Sequence, residues 1–171
     1  MRPFARLVTV LVVSLVSLVL PVPLHAQGRY RLAIGTPGSS RITIAEFRPC
    51  VPAEGSDCGG WIDPLADSAS VPPPIVTNAA SADSRDSVSI RRGAVVLTRF
   101  SSPRHEDVKR LRSAFGVPAA VAVSRDSRYA FVAYRAPSRD RALISMIDLS
   151  TRKSVFSLPL PHDVAGITAL P

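Results

Sequence analysis

The sequence is poor in the side chains that carry most enzyme and metal chemistry. It holds two cysteines, three histidines and one tryptophan among 171 residues. Zinc sites need further cysteine or histidine at ligand spacing, and none lies near Cys50 and Cys58. Beyond residue 26 the only histidines are His105 and His162, and no Gly-x-Ser-x-Gly motif supplies a nucleophile. We therefore expect no metal, no cofactor and no catalytic site in this chain.

Lysine is also nearly absent, because only Lys109 and Lys153 among the 21 basic residues are lysine. The arginines stand singly between apolar segments, and the longest basic group, 104–112, also contains Glu106 and Asp107. A nucleic-acid-binding surface needs a basic stripe with interleaved aromatic residues. Despite a net charge of +8, we therefore expect no nucleic-acid partner.

The only long apolar run lies at the N-terminus. It extends from Leu7 to Leu20, follows two arginines and is followed by prolines and by Ala26. This order is typical of a secretory signal peptide, and the run is shorter than the roughly 20 residues that cross a bilayer. We predict a signal helix over 1–26, cleaved between Ala26 and Gln27, and a secreted or periplasmic protein with no membrane attachment. An uncleaved membrane anchor is the alternative.

After the signal, alternating apolar and polar residues flank Pro37-Gly38, which predicts a β-hairpin over 27–47. The segment 48–92 breaks this alternation with clusters of proline, glycine and serine, so we expect a loop or insertion, partly disordered. Cys50 and Cys58 lie in this segment, and an exported chain favours a disulfide between them. Trp61 is interpreted as a packing anchor for the cysteine loop.

The remaining region, 93–171, is predicted to be a repeat region that is incomplete at its C-terminus. A strand is expected at 93–100. Between 104 and 115, the spacing of Val108, Leu111 and Phe115 fits a short helix, and a connecting strand is the alternative.

Four short strands with turns between them follow, at 119–123, 129–134, 143–148 and 154–158. Asp126 and Asp148 stand where a side chain can accept backbone N–H bonds and close a turn. The pattern of 120–125 then begins again at 166–171, at an offset of 46 residues. The predicted fold class is therefore all-β, with antiparallel four-stranded blade-like sheets that form a partial β-propeller.

This block resembles the YVTN-type repeat of lactonase-like β-propellers. The positions that carry the resemblance are Ser124, Asp126, the strand Arg128–Ala133, Ile147-Asp148, Thr151 and Lys153. Arg125, Ser127 and Arg152 depart from the pattern, since proline, glycine and glycine are usual there. A weaker second copy is obtained by laying Arg29-Tyr30 on Arg128-Tyr129, at a spacing of 99 residues.

The resemblance implies a ring of about 4 to 8 blades, whereas the chain beyond residue 26 can hold about three. We therefore expect the N-terminal part of a longer propeller. The alternatives are that three such chains assemble, or that the strands form an open twisted sheet or a small sandwich. The expected function is an exported protein with a binding or scaffold role, its partner a protein or small molecule, and with self-association through unpaired blade edges. The alternative is part of a secreted propeller enzyme, lactonase-like or quinone-linked dehydrogenase-like, whose active site lies in missing blades.

Two short motifs lack the context that their chemistry needs. Ser150–Lys153 matches the Ser-x-x-Lys string of penicillin-recognising enzymes, but it lies in a predicted turn rather than at the start of a helix. His162 and Asp163 could orient one another as in a hydrolase, yet no nucleophile accompanies them. Both are interpreted as surface features.

Overall fold

The computed structural model describes residues 28–38, 41–49, 59–69, 75–102, 105–112, 115–138 and 141–171. Every regular element in these ranges is a β-strand, which confirms the all-β class. The strands are β1 (Tyr30–Gly35), β2 (Arg41–Arg48), β3 (Gly59–Ala69), β4 (Asn78–Ala80), β5 (Asp86–Arg91), β6 (Ala94–Ser102), β7 (His105–Leu111), β8 (Val117–Val123), β9 (Tyr129–Arg135), β10 (Ala142–Asp148), β11 (Lys153–Leu160) and β12 (Gly166–Ala169).

The strands form three four-stranded antiparallel sheets, consistent with blades of a partial β-propeller. Sheet 1 has the order β12-β1-β2-β3, sheet 2 the order β4-β5-β6-β7, and sheet 3 the order β8-β9-β10-β11. Sheet 3 lies between the other two, because its inner strand β8 contacts β12 of sheet 1 as well as β4 and β5 of sheet 2.

The composition of β9 explains why sheet 3 can be covered on both sides. Tyr129, Phe131 and Ala133 pack in the core shared with sheet 1. The alternate residues Ala130, Val132 and Tyr134 pack in the core shared with sheet 2. Since successive side chains of a strand point to opposite faces, an apolar residue at every position requires a neighbour on each side. Burial of one large side chain such as Phe131 contributes about 1.5–3 kcal/mol.

Sheet 1 combines the two ends of the described chain. Its inner strand β12 pairs antiparallel with β1, matching Ile167 with Ile34 and Ala169 with Leu32. The restart of the repeat at Gly166 therefore completes the sheet that begins with the N-terminal hairpin. Ile167 is fully buried in the core with sheet 3, so this pairing also contributes apolar contacts.

The hydrogen bonds correct the weaker overlay by one residue. Ser124 N–H donates to the carbonyl of Tyr129, and at the corresponding end of β12 Leu170 N–H donates to the carbonyl of Arg31. Arg31 therefore corresponds to Tyr129, at a spacing of 98 rather than 99. A shift of one residue exchanges the two faces of a strand, which is why the sequence overlay placed Tyr30 on the wrong side.

The interpretation of 48–92 as a loop or insertion is wrong over three segments, because β3, β4 and β5 lie within it. The serine-rich tract that follows Asn78 forms the first hairpin of sheet 2. Val88 on β5 is fully buried against sheet 3, while Ser87 and Ser89 occupy the other face. Serine on one face of a strand weakened the apolar signal without preventing the strand.

The ambiguous segment 104–115 contains a strand, since β7 is the outer strand of sheet 2. Leu111 pairs with Val95 and Val108 with Thr98. Leu111 packs on the core side of the strand, whereas Val108 is 51% exposed on the other face. The two residues therefore lie on opposite faces of a strand and not on one face of a helix. The helix interpretation is therefore wrong and the strand alternative is confirmed.

Several predictions fall on residues outside the described ranges. These are the signal helix and its cleavage point, and the disulfide between Cys50 and Cys58. They stay predictions. Within the ranges that are described, no helix is long and apolar enough to cross a membrane.

Candidate functional site: an arginine-lined cleft between sheets 1 and 3

A cleft of about 280 Å³ opens where the inner strands of sheets 1 and 3 end. We call it the arginine cleft. The residues that line it come from the start of β1, the turn between β8 and β9, and the end of β12, with Phe131 also part of the wall. Four of them are arginines: Arg29, Arg31, Arg125 and Arg128. The cleft thus lies between the two ends of the described chain and the turn that connects β8 to β9.

That turn is held by a carboxylate. Oδ1 of Asp126 accepts hydrogen bonds from the Ser124 hydroxyl (2.6 Å) and from the Arg128 N–H (3.1 Å). Ser124 Oγ in turn accepts the Tyr129 N–H at 2.9 Å. Ser127 takes a positive φ of 59° within the turn, a conformation that glycine adopts more readily. These contacts fix the backbone that carries Arg125 and Arg128.

The second oxygen of the same carboxylate links sheets 1 and 3. The Tyr30 hydroxyl donates to Asp126 Oδ2 at 2.7 Å. The Tyr30 ring also meets the Tyr129 ring edge-on, with centroids 4.9 Å apart. Tyr30 therefore contributes both an aromatic contact and a hydrogen bond across the sheet interface at the cleft.

This geometry shifts the acidities of both groups. Burial opposes ionisation of Asp126, but hydrogen bonds from Ser124, Tyr30 and the Arg128 N–H outweigh burial and hold the pKa of this carboxyl below its usual range. Burial, and then the hydrogen bond to Asp126, raise the pKa of the Tyr30 phenol far above its usual range. At neutral pH the pair is therefore a carboxylate that accepts from a protonated phenol.

An equivalent turn in sheet 2 shows what is particular to the cleft. There the Ser81 hydroxyl and the Arg85 N–H donate to Asp83 Oδ1 at 2.5 and 3.1 Å, and Ser84 again has a positive φ. The Arg85 side chain lies 3.8 Å from Asp83 Oδ2 and pairs with it. In sheet 3 the equivalent oxygen, Asp126 Oδ2, accepts a hydrogen bond from the Tyr30 hydroxyl. The guanidinium of Arg128 lies over the Tyr129 ring instead, 5.4 Å from its centroid.

The charge of the cleft is therefore only partly balanced. Arg31 pairs with Glu46 at 3.4 Å. Among the described residues, Arg29, Arg125 and Arg128 form no salt bridge, and Asp126 is the only acidic side chain that lines the cleft. The arrangement can accept negative charge, because unpaired guanidinium groups supply several N–H donors each.

The predicted pair of His162 and Asp163 lies elsewhere, at an apolar pocket of about 130 Å³. Asp163 Oδ1 is 3.2 Å from Nε of Arg135 and accepts the Val164 N–H at 2.8 Å. That carboxylate oxygen is thus engaged by Arg135 and the backbone, and His162 is exposed. His105 is exposed at the start of β7, so the structure does not bring the two histidines into one described site.

The other residues that the sequence singled out have structural contacts. Asp148 Oδ1 accepts the N–H groups of Ser150 and Thr151, at 2.8 and 2.9 Å, and closes the turn before β11. Ser150 and Lys153 belong to that turn and to the first residue of β11, not to a helix. Trp61 is 37% exposed on β3, with the Arg48 guanidinium 4.8 Å from its ring centroid. Among the described residues, no three His, Cys, Asp or Glu side chains form a metal-binding group.

Sequence reasoning missed the arginine cleft because its parts are far apart in the chain. One signal was available: Ser-x-Asp-Ser-Arg occurs at Ser81 and again at Ser124, an offset of 43 residues. That repeat predicts two equivalent turns, and comparing them draws attention to Arg125, which stands where the first turn has Ala82. The part played by Tyr30 could not be read in this way, since it lies 96 residues from Asp126.

Comparisons with known proteins give only distant structural likenesses. No protein-family model and no curated protein sequence matches the chain. Among solved structures, the chain is similar to a protein from Lactobacillus plantarum, with 13% identity and a TM-score of 0.44 over 85% of this chain and 46% of that one. It is also similar to a functionally unknown protein from Desulfotomaculum acetoxidans, with 13% identity and a TM-score of 0.37 over 81% and 46%. The chain thus spans about half the length of these structures.

Proposed function

We propose that this chain is an exported β-propeller-like protein with a binding or scaffold role, and that it takes up its partner or ligand at the arginine cleft. The observation that carries the proposal is the cleft itself, which joins two sheets at their turn ends and has three guanidinium groups without a salt bridge among the described residues. Turns and loops held by a rigid sheet scaffold are common positions for binding residues.

The position of the cleft supports a binding role. Its walls belong to two different sheets, and the Tyr30–Asp126 hydrogen bond of 2.7 Å connects them. The turn that presents Arg125 and Arg128 is fixed by the Asp126 side chain. A binding site gains affinity when its groups are ordered before the ligand arrives, because less conformational entropy is then lost.

Export is supported by the sequence pattern of residues 1–26, and fractionation of a bacterial host tests it. We expect the full-length gene to yield a protein in the periplasm or medium whose N-terminal sequence begins at Gln27. The variant Ala26→Arg, which changes the residue next to the proposed cleavage point, should block processing. Recovery of an uncleaved, membrane-bound chain that begins at Met1 would contradict cleavage and release.

The binding role is tested by an NMR screen of the exported protein with a small library of neutral, cationic and anionic compounds. We expect some compounds to shift, saturably, the backbone amides that line the cleft, from Arg29 to Arg31 and from Ser124 to Arg128. The amides around His162, at the separate apolar pocket, serve as an internal control. A library that shifts no cleft amide, or that shifts only the control amides, would overturn the assignment of the binding site.

A further inference from the structure

The two equivalent turns allow the chemistry of the ligand to be inferred, on the basis of the proposed function. Both turns have a serine, an aspartate and an arginine in the same hydrogen-bonding arrangement. They differ in how the arginine is neutralised. In sheet 2 Arg85 pairs with its own turn aspartate at 3.8 Å, so the turn is balanced internally.

In sheet 3 that internal pairing is replaced. The Tyr30 hydroxyl lies 2.7 Å from Asp126 Oδ2, the oxygen that corresponds to the one paired in sheet 2. Arg128 lies over the Tyr129 ring instead. A neutral phenol thus takes the place of a cation at the carboxylate, and the guanidinium is left available to an incoming anion.

Two further arginines add to this charge. Arg125 is exposed, lines the cleft and forms no salt bridge among the described residues, whereas its counterpart Ala82 in sheet 2 has no charge. Arg29 lines the same cleft, is exposed and likewise forms no salt bridge within the described ranges. Phe131, Ala169, Leu170 and Pro171 also line the cleft.

We propose that the arginine cleft binds an oxyanion, a carboxylate or phosphate group, on a small organic molecule, with Arg125 and Arg128 as the principal contacts and Arg29 as a third. Guanidinium groups match the planar oxygens of a carboxylate and the oxygens of a phosphate through paired N–H bonds. The apolar part of the lining suits the carbon skeleton of such a molecule. Asp126 then acts as a positioning residue, since it fixes the turn without contacting the anion.

The test is an NMR titration of the exported protein with inorganic phosphate and, separately, with citrate, both at constant ionic strength set with chloride. We expect saturable shifts of the amides from Ser124 to Arg128 with at least one of the two anions. The double variant Arg125→Gln/Arg128→Gln should raise the Kd by about fivefold, in the range for loss of exposed charge pairs. The arm that binds more tightly identifies whether a phosphate or a carboxylate is preferred.

The double variant Arg85→Gln/Arg91→Gln is the matched control, because it also removes two exposed arginine charges, from the equivalent turn and from the end of β5 in sheet 2. It should leave the Kd unchanged, and the spectra of both variants report whether the fold is retained. Equal weakening in the control would show a general charge effect and overturn the proposal, as would a Kd that Arg125→Gln/Arg128→Gln leaves unchanged. If neutral compounds shift the cleft amides while neither anion does, the oxyanion assignment fails and the proposed binding role stands.

Discussion

Single residues decide how closely the strands of sheet 3 approach one another. Gly116 lies just before β8, and a Cβ built there would meet the carbonyl oxygen of Arg135 at 1.8 Å. No side chain fits without moving backbone, since the obstructing atom belongs to the end of β9. The glycine is therefore required by packing rather than by its φ angle.

We expect Gly116→Ala to destabilise the protein by about 1–3 kcal/mol, the usual cost of overpacking, because the start of β8 must move away from β9. Urea denaturation followed by circular dichroism measures the change. Gly59→Ala is the control, since nothing lies within 4 Å of a Cβ at that position. An unchanged midpoint for Gly116→Ala would contradict this contact.

Two turn aspartates should make stability depend on acidic pH. Burial opposes ionisation at Asp126 and Asp148, but hydrogen bonds outweigh it, so both carboxyls have a pKa below the ordinary 3.8. A folded-state pKa below the unfolded value contributes stability at pH values above the unfolded pKa. That contribution is lost as the pH falls through the folded pKa.

Urea midpoints should therefore be constant near neutrality and decrease as the pH falls below about 4. Asp126→Asn should be less stable than the parent at pH 7 and should approach it at pH 3, because the lost carboxylate contributes only when ionised. Glu106→Gln on the exposed β7 is the control and should follow the parent curve. Parallel curves for Asp126→Asn and the parent across this range would refute the role of the charge.

At the scale of elements, the turns are the parts most closely specified by sequence. Ser-x-Asp-Ser-Arg forms the same hydrogen-bonded turn at Ser81 and at Ser124, because the bonds that close each turn join side chains and N–H groups that are two residues apart. Strand existence from 119 to 158 was predictable for a related reason, since apolar side chains at successive positions require burial on both faces. The edge strand β7 was less predictable, because one of its faces is exposed.

The hairpin of β5 and β6 contains a turn residue that can be improved. Arg91 pairs with Ala94, so Arg92 and Gly93 form a two-residue loop, with φ values of 49° and 70°. Positive φ at both positions is the type I′ turn, which favours asparagine followed by glycine. Arginine at the first position carries the steric cost of the left-handed region.

Arg92→Asn should therefore stabilise the protein by up to about 1 kcal/mol, seen as a higher Tm in calorimetry. The matched control is Arg91→Asn, one position earlier in the paired strand, where asparagine has no conformational advantage and should give no gain. A lower Tm for Arg92→Asn would show that the arginine makes a contact that outweighs its backbone cost.

For the whole molecule, the outer face of sheet 2 differs from the corresponding faces of the other sheets. Ser87 and Ser89 take the places that Ala130 and Val132 hold in sheet 3, where the face is packed against sheet 2. The equivalent residues in sheet 1, Leu32 and Ile34, pack against sheet 3. Ser87 is half-buried and Ser89 is buried, so this face of β5 is polar without being open to water.

The pairing of β12 with β1 should determine whether sheet 1 is stable. Truncation after Val164 would remove β12, expose the hydrogen-bonding edge of β1 and leave unfilled the space of the buried Ile167. We expect a lower urea midpoint and self-association in sedimentation, because an open strand edge is a site for pairing with another chain. A truncated chain that is monomeric and equally stable would exclude this role for β12.

A milder variant separates packing from pairing. Ile167→Ala keeps the backbone bonds of β12 and should cost about 2–5 kcal/mol through the cavity that it leaves, without exposing the strand edge. It should therefore lower the urea midpoint while the protein stays monomeric.

Whether the chain continues as a longer propeller stays a prediction, and translation of the genomic DNA downstream of Pro171 tests it.

The sequence by itself determined what depends on neighbouring residues and on alternation along a strand. These features are the all-β class, the turn aspartates Asp126 and Asp148, and a β9 covered on both faces. Only the tertiary structure decided which strands and side chains from distant parts of the chain contact one another. The pairing of β12 with β1, and the hydrogen bond from Tyr30 to Asp126, join residues that are far apart in the chain. Such contacts depend on the register of paired strands, where a shift of one residue reverses the faces, and local patterns do not specify that register.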